Sequence, residues 1–369
     1  MSAIHQLIAG FSTGDAISNE AKVFRRLFQS WGFESELFCD FAHVLPECRH
    51  ECEDMDILSQ RVQPSDIVLL HLSMGSRAND LFPTLACQRA ILYHNITPAD
   101  YFRGINETLS RHLAWGRQQA ARLAGSAQVC LAVSPFNAAE LQSWKYPTTG
   151  VLPIIMDLEK TYARPNPARM TQLDDGAVNV IFVGRCVPNK KIEDLLVAFA
   201  WFQKYVAPKS RLVLAGSYVG MSRYHAFLTK LARDLGVYAR DLFAGSISQG
   251  ELNAIYESAD LFLCMSEHEG FCIPLIESMA HEVPILAYNS AAIPETLEGA
   301  GVLFHEKRWP DIAEMMACLT TPSPFRDAVI AKQNERFRRY TARPLAQELK
   351  QALAPLISGN GHGPLLQCP

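Results

Sequence analysis

The sequence predicts an α/β protein with two Rossmann-like, doubly wound domains that face a central cleft. Short apolar runs of strand length alternate with amphipathic stretches of helix length, which is the pattern of βαβ units and parallel sheets. The alternation stops in a stretch rich in Pro and turn residues at 146–176 and then starts again. The 369 residues also provide enough chain for two domains of ordinary size.

The first half supplies five apolar runs that we predict as strands, namely HQLIAGF, ESELFC, DIVLLHL, RAILYHN and VCLAVS. Helical periodicity appears in NEAKVFRRLFQSWGF and at 106–124 and 136–144. We therefore place an N-terminal domain at 1–152.

The second half repeats the pattern with the apolar runs NVIFVG, RLVLAG, DLFAG, LFLCMS, PILAY and GVLF. Helices are predicted at 192–206, 222–235, 248–258 and from about 274. We place a C-terminal domain at 153–342. A helix near 343–357 closes the chain, and we interpret 358–369 as a tail.

Composition excludes several classes of protein. Hydrophobic residues make up 49% and charged residues 20%, which is ordinary for a globular protein, and the net charge of -4 argues against a nucleic-acid binder. The longest apolar runs are strand-length, and the N-terminus lacks the basic region of a signal peptide. The ten cysteines are spread singly, which fits reduced thiols. We expect a cytoplasmic protein.

Two glutamates bracket an apolar run in the stretch SEHEGFCIPLIES. LFLCM, just before it, is interpreted as a buried parallel strand, so Glu269 lies in the loop at its carboxyl end. Pro274 suits the first turn of a helix, which places Glu277 in that turn. The alternative is a solvated loop glutamate and a first-turn glutamate that the helix dipole favours by about 0.3–1 kcal/mol.

The backbone between the two glutamates suits an anion. The N–H groups of Gly270, Phe271, Cys272 and Ile273 would point outward with the positive end of the helix dipole, and such a terminus accepts phosphate. The carboxylates would accept hydrogen bonds from hydroxyl groups on either side. A nucleoside diphosphate sugar has this arrangement of charge and hydroxyls.

The longer segment SEHEGFCIPLIESMAHEVPILAYNSAAIPETL closely resembles the glutamate-pair motif of the family 4 retaining glycosyltransferases, which have the GT-B fold. The resemblance extends over about 178–305 and is weaker before it. It implies that Glu269 contacts the hydroxyls of the donor sugar and that Glu277 contacts the ribose. It also implies that the last helix returns to the N-terminal domain, which binds the acceptor.

A basic loop follows the strand in VIFVGRCVPNKK. Arg185 offers a bidentate fork and Lys190 a point charge to a diphosphate, although two solvated loop cations would have the same pattern. The stretch resembles the phosphate-binding loop of the family, in which an arginine and a lysine at this spacing stabilise the leaving diphosphate. Lys191 stands where the family often has glycine.

The loop in FSTGDAISNEAKVF follows the first strand, with Ser18 or Asn19 as the expected N-cap of the next helix. A plain strand-to-helix turn is the alternative interpretation. The family has a glycine-bearing loop here, near the diphosphate and the acceptor, which suggests a role for Gly14, Asp15 or Ser18.

Two further strand ends carry candidates. His94 follows the strand in ILYHNITPADYF, where a structural histidine is the alternative, and the family has a histidine at this point that faces the donor sugar. Gly245, Ser246 and Ile247 lie where the resemblance implies that the nucleotide base docks.

Three features point to other functions. Cys48, His50 and Cys52, with His43 nearby, match no common zinc spacing. Asp54 and Asp56 form the D-x-D of metal-dependent GT-A transferases, but no predicted strand end presents them, so we interpret them as a solvated loop. The basic helical stretch RGINETLSRHLAWGRQQAARLA would suit an anionic membrane face, although a half-buried surface helix is favoured.

The resemblance implies a metal-independent, retaining hexosyltransferase of polysaccharide or glycan synthesis. The donor would be GDP-mannose or a UDP-hexose and the acceptor a glycan, a lipid-linked molecule or a small molecule, with peripheral contact to the cytoplasmic membrane face as an option. No cofactor, metal or nucleic-acid partner is expected. The alternatives are a nucleotide-sugar epimerase and a catalytically silent partner subunit. A dinucleotide-dependent oxidoreductase would need G-x-G-x-x-G, which AGFSTGDAIS does not supply.

Overall fold

The computed structural model describes residues 2–12, 14–147, 149–237 and 242–358. The chain divides into two compact units. The N-terminal unit contains the chain up to Asp100, Thr108–Asp157 and the chain from Pro344, and the C-terminal unit contains Tyr101–Glu107 and Leu158–Arg343. The predicted tail, from residue 359 on, lies outside the described residues.

The regular elements follow one another in the alternation that the sequence predicts. The strands are β1 (Ile4–Ile8), β2 (Leu37–Cys39), β3 (Glu53–Asp54), β4 (Ile67–Leu72), β5 (Gln88–Tyr93), β6 (Val129–Ala132), β7 (Gly150–Val151), β8 (Val178–Val183), β9 (Ser210–Ala215), β10 (Phe243–Gly245), β11 (Leu261–Cys264), β12 (Ile285–Tyr288) and β13 (Val302–Phe304). The helices are α1 (Ala16–Ser30), α2 (Leu58–Arg61), α3 (Arg77–Leu81), α4 (Glu107–Arg122), α5 (Pro135–Ser143), α6 (Leu158–Thr161), α7 (Pro167–Leu173), α8 (Ile192–Tyr205), α9 (Ser222–Asp234), α10 (Gln249–Glu257), α11 (Ile273–Ala280), α12 (Ile293–Leu297), α13 (Trp309–Thr320), α14 (Pro324–Ala342) and α15 (Leu345–Ile357). Short 3₁₀ helices lie at Phe41–His43, Pro46–Glu51, Met55–Ile57, Phe82–Thr84, Ala99–Phe102 and Pro188–Lys190.

Each unit is built on one parallel sheet. Over the described residues the N-terminal sheet has the order β3-β2-β1-β4-β5-β6-β7 and the C-terminal sheet the order β10-β9-β8-β11-β12-β13. Strands β1, β4 and β11 are buried along their whole length, as parallel strands covered on both faces should be. These two sheets confirm the predicted α/β fold class with two Rossmann-like domains.

The strand order reverses beside the first strand of each sheet. β1 lies between β2 and β4, and β8 lies between β9 and β11. Loops on opposite sides of such a reversal run away from each other and open a crevice at the carboxyl ends of the strands. The ends of β1 and β4 in one unit, and of β8 and β11 in the other, are therefore where ligand-binding residues are expected.

The first helix begins earlier than the sequence predicts. Asp15 is the N-cap of α1, because its carboxylate accepts hydrogen bonds from both the N–H and the hydroxyl of Ser18 at 2.9 Å. The prediction of Ser18 or Asn19 as N-cap is therefore wrong. The hydroxyl of Ser18 instead accepts the N–H of Ser12 at 3.2 Å and holds the loop after β1 against the helix.

Two helices near the C-terminal end of the second unit had no sequence prediction. α13 and α14 lie between β13 and α15, and the buried face of α14 carries Gln333 and Arg336 beside Val329 and Tyr340. The Gln333 side chain accepts from the N–H of Ile285 and donates to a backbone carbonyl. Polar residues on a buried face remove the apolar period by which a helix is recognised.

The basic stretch of the first unit forms α4. Leu113 is buried and Trp115 is half-buried, with its ring 5.2 Å from that of His112. The close approach of Gly116 to the backbone of Gly75 fixes this helix against the preceding loop. Among the described residues, no helix combines the length and the apolar content needed to cross a membrane.

Candidate functional site

Two loops of the C-terminal unit meet at the ends of neighbouring strands. β8 pairs with β11, so the loops that follow them leave the same edge of the sheet. Asn189 joins these loops. Its side-chain N–H donates to the backbone carbonyl of His268 at 2.9 Å, and its own backbone carbonyl accepts the N–H of Glu267 at 2.9 Å. Asn189 was missed from the sequence, although its place between two predicted phosphate-binding residues was a signal.

Lys190 and Glu269 form a buried ion pair across the two loops. The Nζ of Lys190 lies 2.5 Å from Oε2 of Glu269, with side-chain exposures of 17% and 9%. Burial alone would lower the pKa of the lysine, but the neighbouring Glu269 carboxylate outweighs burial and raises that pKa. Lys190 therefore keeps its charge beside the Glu269 carboxylate, and the structure brings together two residues that the sequence predicted separately.

The other two cations of this loop have different surroundings. Arg185 is exposed at the end of β8. Lys191 has a left-handed backbone with φ 51°, which explains why glycine suits this position, and its Nζ lies 3.6 Å from Glu193 and from Glu267. Lys190, and not Lys191, is thus the lysine that faces Glu269.

Glu277 lies deeper in its helix than the sequence predicts. α11 begins at Ile273 after a left-handed N-cap at Cys272, so Glu277 is its fifth residue and not a first-turn residue. The dipole therefore gives it little support. The Tyr256 hydroxyl donates to Oε2 of Glu277 at 2.8 Å. Sequence reasoning missed Tyr256 because it lies on a separate element, α10. Burial raises the pKa of Glu277, and the Tyr256 bond opposes that rise.

The remaining predicted residues of the C-terminal unit lie along the same edge. Gly270, Phe271, Cys272 and Ile273 form the turn into α11, with Phe271 and Cys272 buried. Ser246 is exposed and Ile247 half-buried just after β10, which is separated from β8 by β9. Ser248 then caps α10 in a capping box with Glu251, so this loop is held by its own helix.

Glu269 and two neighbouring cysteines have donor atoms that converge. The thiols of Cys264 and Cys272 and a carboxylate oxygen of Glu269 lie within 4.8 Å of one another, and all three residues are buried. Glu20, His71 and His94 in the N-terminal unit form a second such group. These two groups, found among the described residues, are the ones with the chemistry to hold a metal ion.

In the N-terminal unit a chain of hydrogen bonds ends at His94. Oε1 of Gln6 contacts Nε2 of His71 at 2.9 Å, and Nδ1 of His71 contacts Nε2 of His94 at 2.9 Å. Nδ1 of His94 then faces Oε2 of Glu20 at 3.6 Å. Gly14, the other candidate of this unit, follows β1 with φ 80° and no atom close to where a Cβ would lie.

The available donors and acceptors determine which atoms of this hydrogen-bond network carry protons. Gln6 donates its amide N–H to the carbonyl of Ala21 at 3.1 Å, so its Oε1 is the acceptor for His71. His71 then accepts from His94, which leaves Nδ1 of His94 without a proton and in need of a donor. Burial raises the pKa of Glu20 to about 8, lowers that of His71 to about 3 and lowers that of His94 well below its usual value. A protonated Glu20 would supply the donor that Nδ1 of His94 lacks, but the 3.6 Å between Oε2 and Nδ1 exceeds hydrogen-bond distance, and neither atom has a hydrogen-bond partner among the described residues.

The structure also places the residues of the rejected functions. Asp54 lies at the carboxyl end of β3, so the expectation that no strand end presents it is wrong, because a two-residue edge strand leaves little trace in the sequence. Its side chain accepts the N–H of Asp56 at 3.0 Å, and Asp56 pairs with Arg77 at 2.7 Å. Cys48 and Cys52 pack in an apolar cluster.

Comparison with known proteins points to sugar transfer. Residues 167–336 match the family model described as Glycosyl transferases group 1. A GDP-mannose-dependent alpha-(1-6)-phosphatidylinositol monomannoside mannosyltransferase of Mycobacterium tuberculosis is 25% identical over 230 residues, which cover 58% of this chain and 58% of that protein. The chain thus matches a little over half the length of this curated relative.

Two solved structures share the fold over nearly the whole chain. Sucrose-phosphate synthase from Thermosynechococcus elongatus superposes with a TM-score of 0.73 at 17% identity, covering 97% of this chain and 100% of that one. HepE from Anabaena, solved with UDP and glucose, gives 0.73 at 16% identity, covering 96% and 100%. This likeness shows the GT-B fold, and the family match supports a glycosyltransferase.

Proposed function

We propose that the chain is a retaining, nucleotide-sugar-dependent glycosyltransferase of family 4, which moves a hexose to a glycan, a lipid-linked molecule or a small acceptor. The observation that carries this proposal is the buried Lys190–Glu269 pair at the carboxyl ends of β8 and β11. It combines a cation for a diphosphate with a carboxylate for sugar hydroxyls at the switch point of a doubly wound sheet. The match to glycosyl transferases group 1 supports it.

Lys190 and Arg185 would stabilise the departing diphosphate. An ammonium group has three N–H donors, so the bond from Lys190 to Glu269 leaves two donors for phosphate oxygens. Arg185 is exposed and can offer its fork to the same group. Backbone N–H groups of Gly270–Ile273 would add dipoles at the start of α11. With the leaving charge met by these donors, we expect no metal requirement.

The two glutamates would grip different parts of the donor. Lys190 holds Oε2 of Glu269, which leaves Oε1 to accept a hydrogen bond from a sugar hydroxyl. Tyr256 holds Oε2 of Glu277 in the same way and leaves its other oxygen for the ribose. Because positive charge grows at the anomeric carbon as the sugar departs, a charged Glu269 would strengthen its hold in the transition state.

We also propose which residues contact the other parts of the donor and which donors should be tested. Ser246 and Ile247 would approach the base, and Gly14 and His94 the diphosphate and the sugar. The mycobacterial relative is named for GDP-mannose and HepE was solved with UDP and glucose, so GDP-mannose and the UDP-hexoses remain the donors to test. The described cysteines are free thiols, which suits a cytoplasmic enzyme that meets membrane-linked acceptors peripherally.

A binding and turnover screen tests the proposal. The protein would be titrated with nucleoside diphosphates and nucleotide sugars, and diphosphate release would then be followed with and without acceptors. The proposed metal-independent transferase should release diphosphate faster when its acceptor is present and keep that rate in excess EDTA. Conversion of the sugar without diphosphate release would indicate an epimerase, and binding without turnover a silent subunit. A rate that EDTA removes and Mg²⁺ or Mn²⁺ restores would contradict metal independence and return attention to Asp54 and Asp56.

A further inference from the structure

A pair of buried thiols flanks the glutamate of the proposed active site. Cys264 is the last residue of β11 and Cys272 is the N-cap of α11, so a cysteine lies at each end of the loop that carries Glu269. Cys264 is fully buried, and Cys272 and Glu269 are each 8% exposed. The proposed transfer reaction makes no use of either thiol.

These three side chains form a donor set of a recognisable kind. Their two sulfur atoms and one carboxylate oxygen lie within 4.8 Å of one another. Zinc in tetrahedral coordination holds thiolates at about 2.3 Å and carboxylates at about 2.0–2.2 Å, which puts the ligand atoms roughly 3.5–3.8 Å apart. Two soft sulfur ligands favour zinc over magnesium or calcium. A small closure of the loop would bring these atoms to coordination distance.

We propose that Cys264, Cys272 and Glu269 form an inhibitory site for zinc or another thiophilic divalent ion. The binding site rests on geometry alone, whereas its inhibitory effect rests on the proposed function. A metal ion on Glu269 withdraws the carboxylate from the sugar and fixes the loop at both ends. The ion is therefore a regulator of the reaction and not a participant in it.

Charge balance permits such an ion in a buried place. Before binding, the Lys190 ammonium and the Glu269 carboxylate cancel and both thiols are neutral. On binding, two thiol protons pass to the buffer, and the ion, two thiolates and the carboxylate carry one net negative charge. Lys190 neutralises that charge from its present position. The cluster stays neutral overall, so burial brings no uncompensated charge.

Ser266 supports the thiolate form of Cys264. The Sγ of Cys264 lies 3.4 Å from the Ser266 hydroxyl, which can donate to the sulfur once the thiol proton has left. Such outer contacts orient and retain the first ligands of metal sites.

The backbone conformation at Cys272 is unusual for a residue that has a side chain. Its φ of 71° and ψ of 68° lie in the left-handed region, which glycine adopts freely and other residues adopt at a cost of about 1–2 kcal/mol. A cysteine therefore sits where a glycine would be more stable. Cys272→Gly removes the thiol and relieves the backbone, so we expect this variant to melt no lower than the unaltered protein.

Cobalt(II) serves as the spectroscopic probe for binding, because thiolate ligands give it an intense near-ultraviolet absorption band. We expect one cobalt ion per chain with this band in the unaltered protein, displaced by zinc, and release of two protons per ion. Cys272→Gly and Cys264→Ala should each lose the band. Cys318→Ala is the matched control and should keep it, since Cys318 is exposed and distant in sequence. A protein with reduced thiols that shows no band, or a band that survives in both variants, overturns the site.

The inhibitory effect is measured separately on donor turnover. Zinc in slight excess should remove nearly all transfer from the unaltered protein and the Cys318→Ala control, and EDTA should restore it. Each thiol variant is compared with its own metal-free rate and should lose little of it to zinc. Cobalt binding without turnover on any donor would contradict the proposed function and leave the site intact. Zinc binding without loss of transfer would overturn the regulatory role.

Discussion

Each unit buries a glutamate beside a nitrogen base, and the two pairs carry their protons differently. In the C-terminal unit, Lys190 lies 2.5 Å from Glu269 and the neighbouring carboxylate raises the pKa of the lysine. In the N-terminal unit, Nδ1 of His94 lies 3.6 Å from Glu20, and burial raises the pKa of Glu20 to about 8 while it lowers that of His94. The first pair is ionic and the second is neutral.

The difference follows from the partner base. A lysine begins near pKa 10.4, far above a carboxyl group, so burial cannot return its proton to the glutamate. A histidine begins near 6.5, and burial brings it below the glutamate. The ionic pair keeps strong donors and acceptors ready for a charged ligand. The neutral pair is suited to holding α1 in place, because Glu20 on α1 faces His94 just after β5 and its Oε1 also accepts the N–H of Ile155 at 2.9 Å.

The largest expected effect comes from breaking the ionic pair. Lys190→Ala removes a donor aimed at the leaving diphosphate, and losing one such donor typically lowers kcat by about 10²–10³. Arg185→Ala should act in the same direction, with less cost to folding since Arg185 is exposed. Steady-state kinetics with the identified donor, beside thermal melting, would measure both effects.

Two controls separate rate from stability. Lys191→Gly removes the same charge from the next position, where φ 51° suits glycine, and should change kcat little. Lys190→Ala leaves Glu269 buried without its partner, at a cost of about 3–5 kcal/mol, which the added Glu269→Gln change should largely recover without recovering the rate. A Lys190→Ala variant within about threefold of the original kcat would show that the loop does not serve the phosphates.

The next effect distinguishes the two glutamates of the C-terminal unit. Glu277→Gln should mainly raise KM, because the ribose is held similarly in the ground and transition states. Glu269→Gln should mainly lower kcat, since it removes a charge that matters as the sugar departs. Calorimetric titration provides the check: the Glu269 variant should bind free nucleoside diphosphate nearly normally and the intact donor more weakly. Equal losses for both ligands would show that Glu269 does not touch the sugar.

Much of the fold could be predicted because strand and helix periods were clear. The strands β8, β9 and β11 and the helices α8, α9 and α10 fall within a residue or two of their sequence predictions. Lys190 and Glu269 could be found because each follows a buried apolar run, and parallel strands bring such loops to one edge. Their direct ion pair could not be predicted, since the sequence gives the edge but not the side-chain geometry.

The neutral pair was beyond the reach of sequence reasoning. Gln6, His71 and Glu20 lie within strand and helix stretches that have the pattern of ordinary core. Their contacts join distant parts of the chain, with 65 positions between Gln6 and His71 and 135 between Glu20 and Ile155. Tyr256 was hidden for the same reason. A polar group inside an apolar run gives no local sign of the partner that satisfies it.

The smallest effect is expected from Glu20→Gln, which should be mild where Glu269→Gln is severe. A glutamine side chain is uncharged and has nearly the same shape as a protonated carboxyl group, and its amide can face Nδ1 of His94 from the same place, so little should change near pH 6.5. Above that pH the two proteins should diverge. A carboxyl group with a pKa of about 8 in the folded state and about 4.5 when unfolded contributes stability that is complete below pH 4.5 and is lost as the pH rises toward 8.

Between pH 6.5 and 8, the contribution of Glu20 to the pH dependence of stability can be separated from that of the two histidines. His71 and His94 face it and have lowered pKa values, so they make stability rise with pH, but only below about 6.5, where the unfolded histidines still bind protons. Across the window one retained proton corresponds to about 1.4 kcal/mol per pH unit, or about 2 kcal/mol in all. Unfolding measured at several pH values should show the original protein losing about that much relative to Glu20→Gln, while Glu314→Gln, a change at an exposed helix position, follows the original protein. A difference that stays constant across the window would mean that Glu20 is ionised against a charged His94, and the two units would then hold their glutamates in the same way.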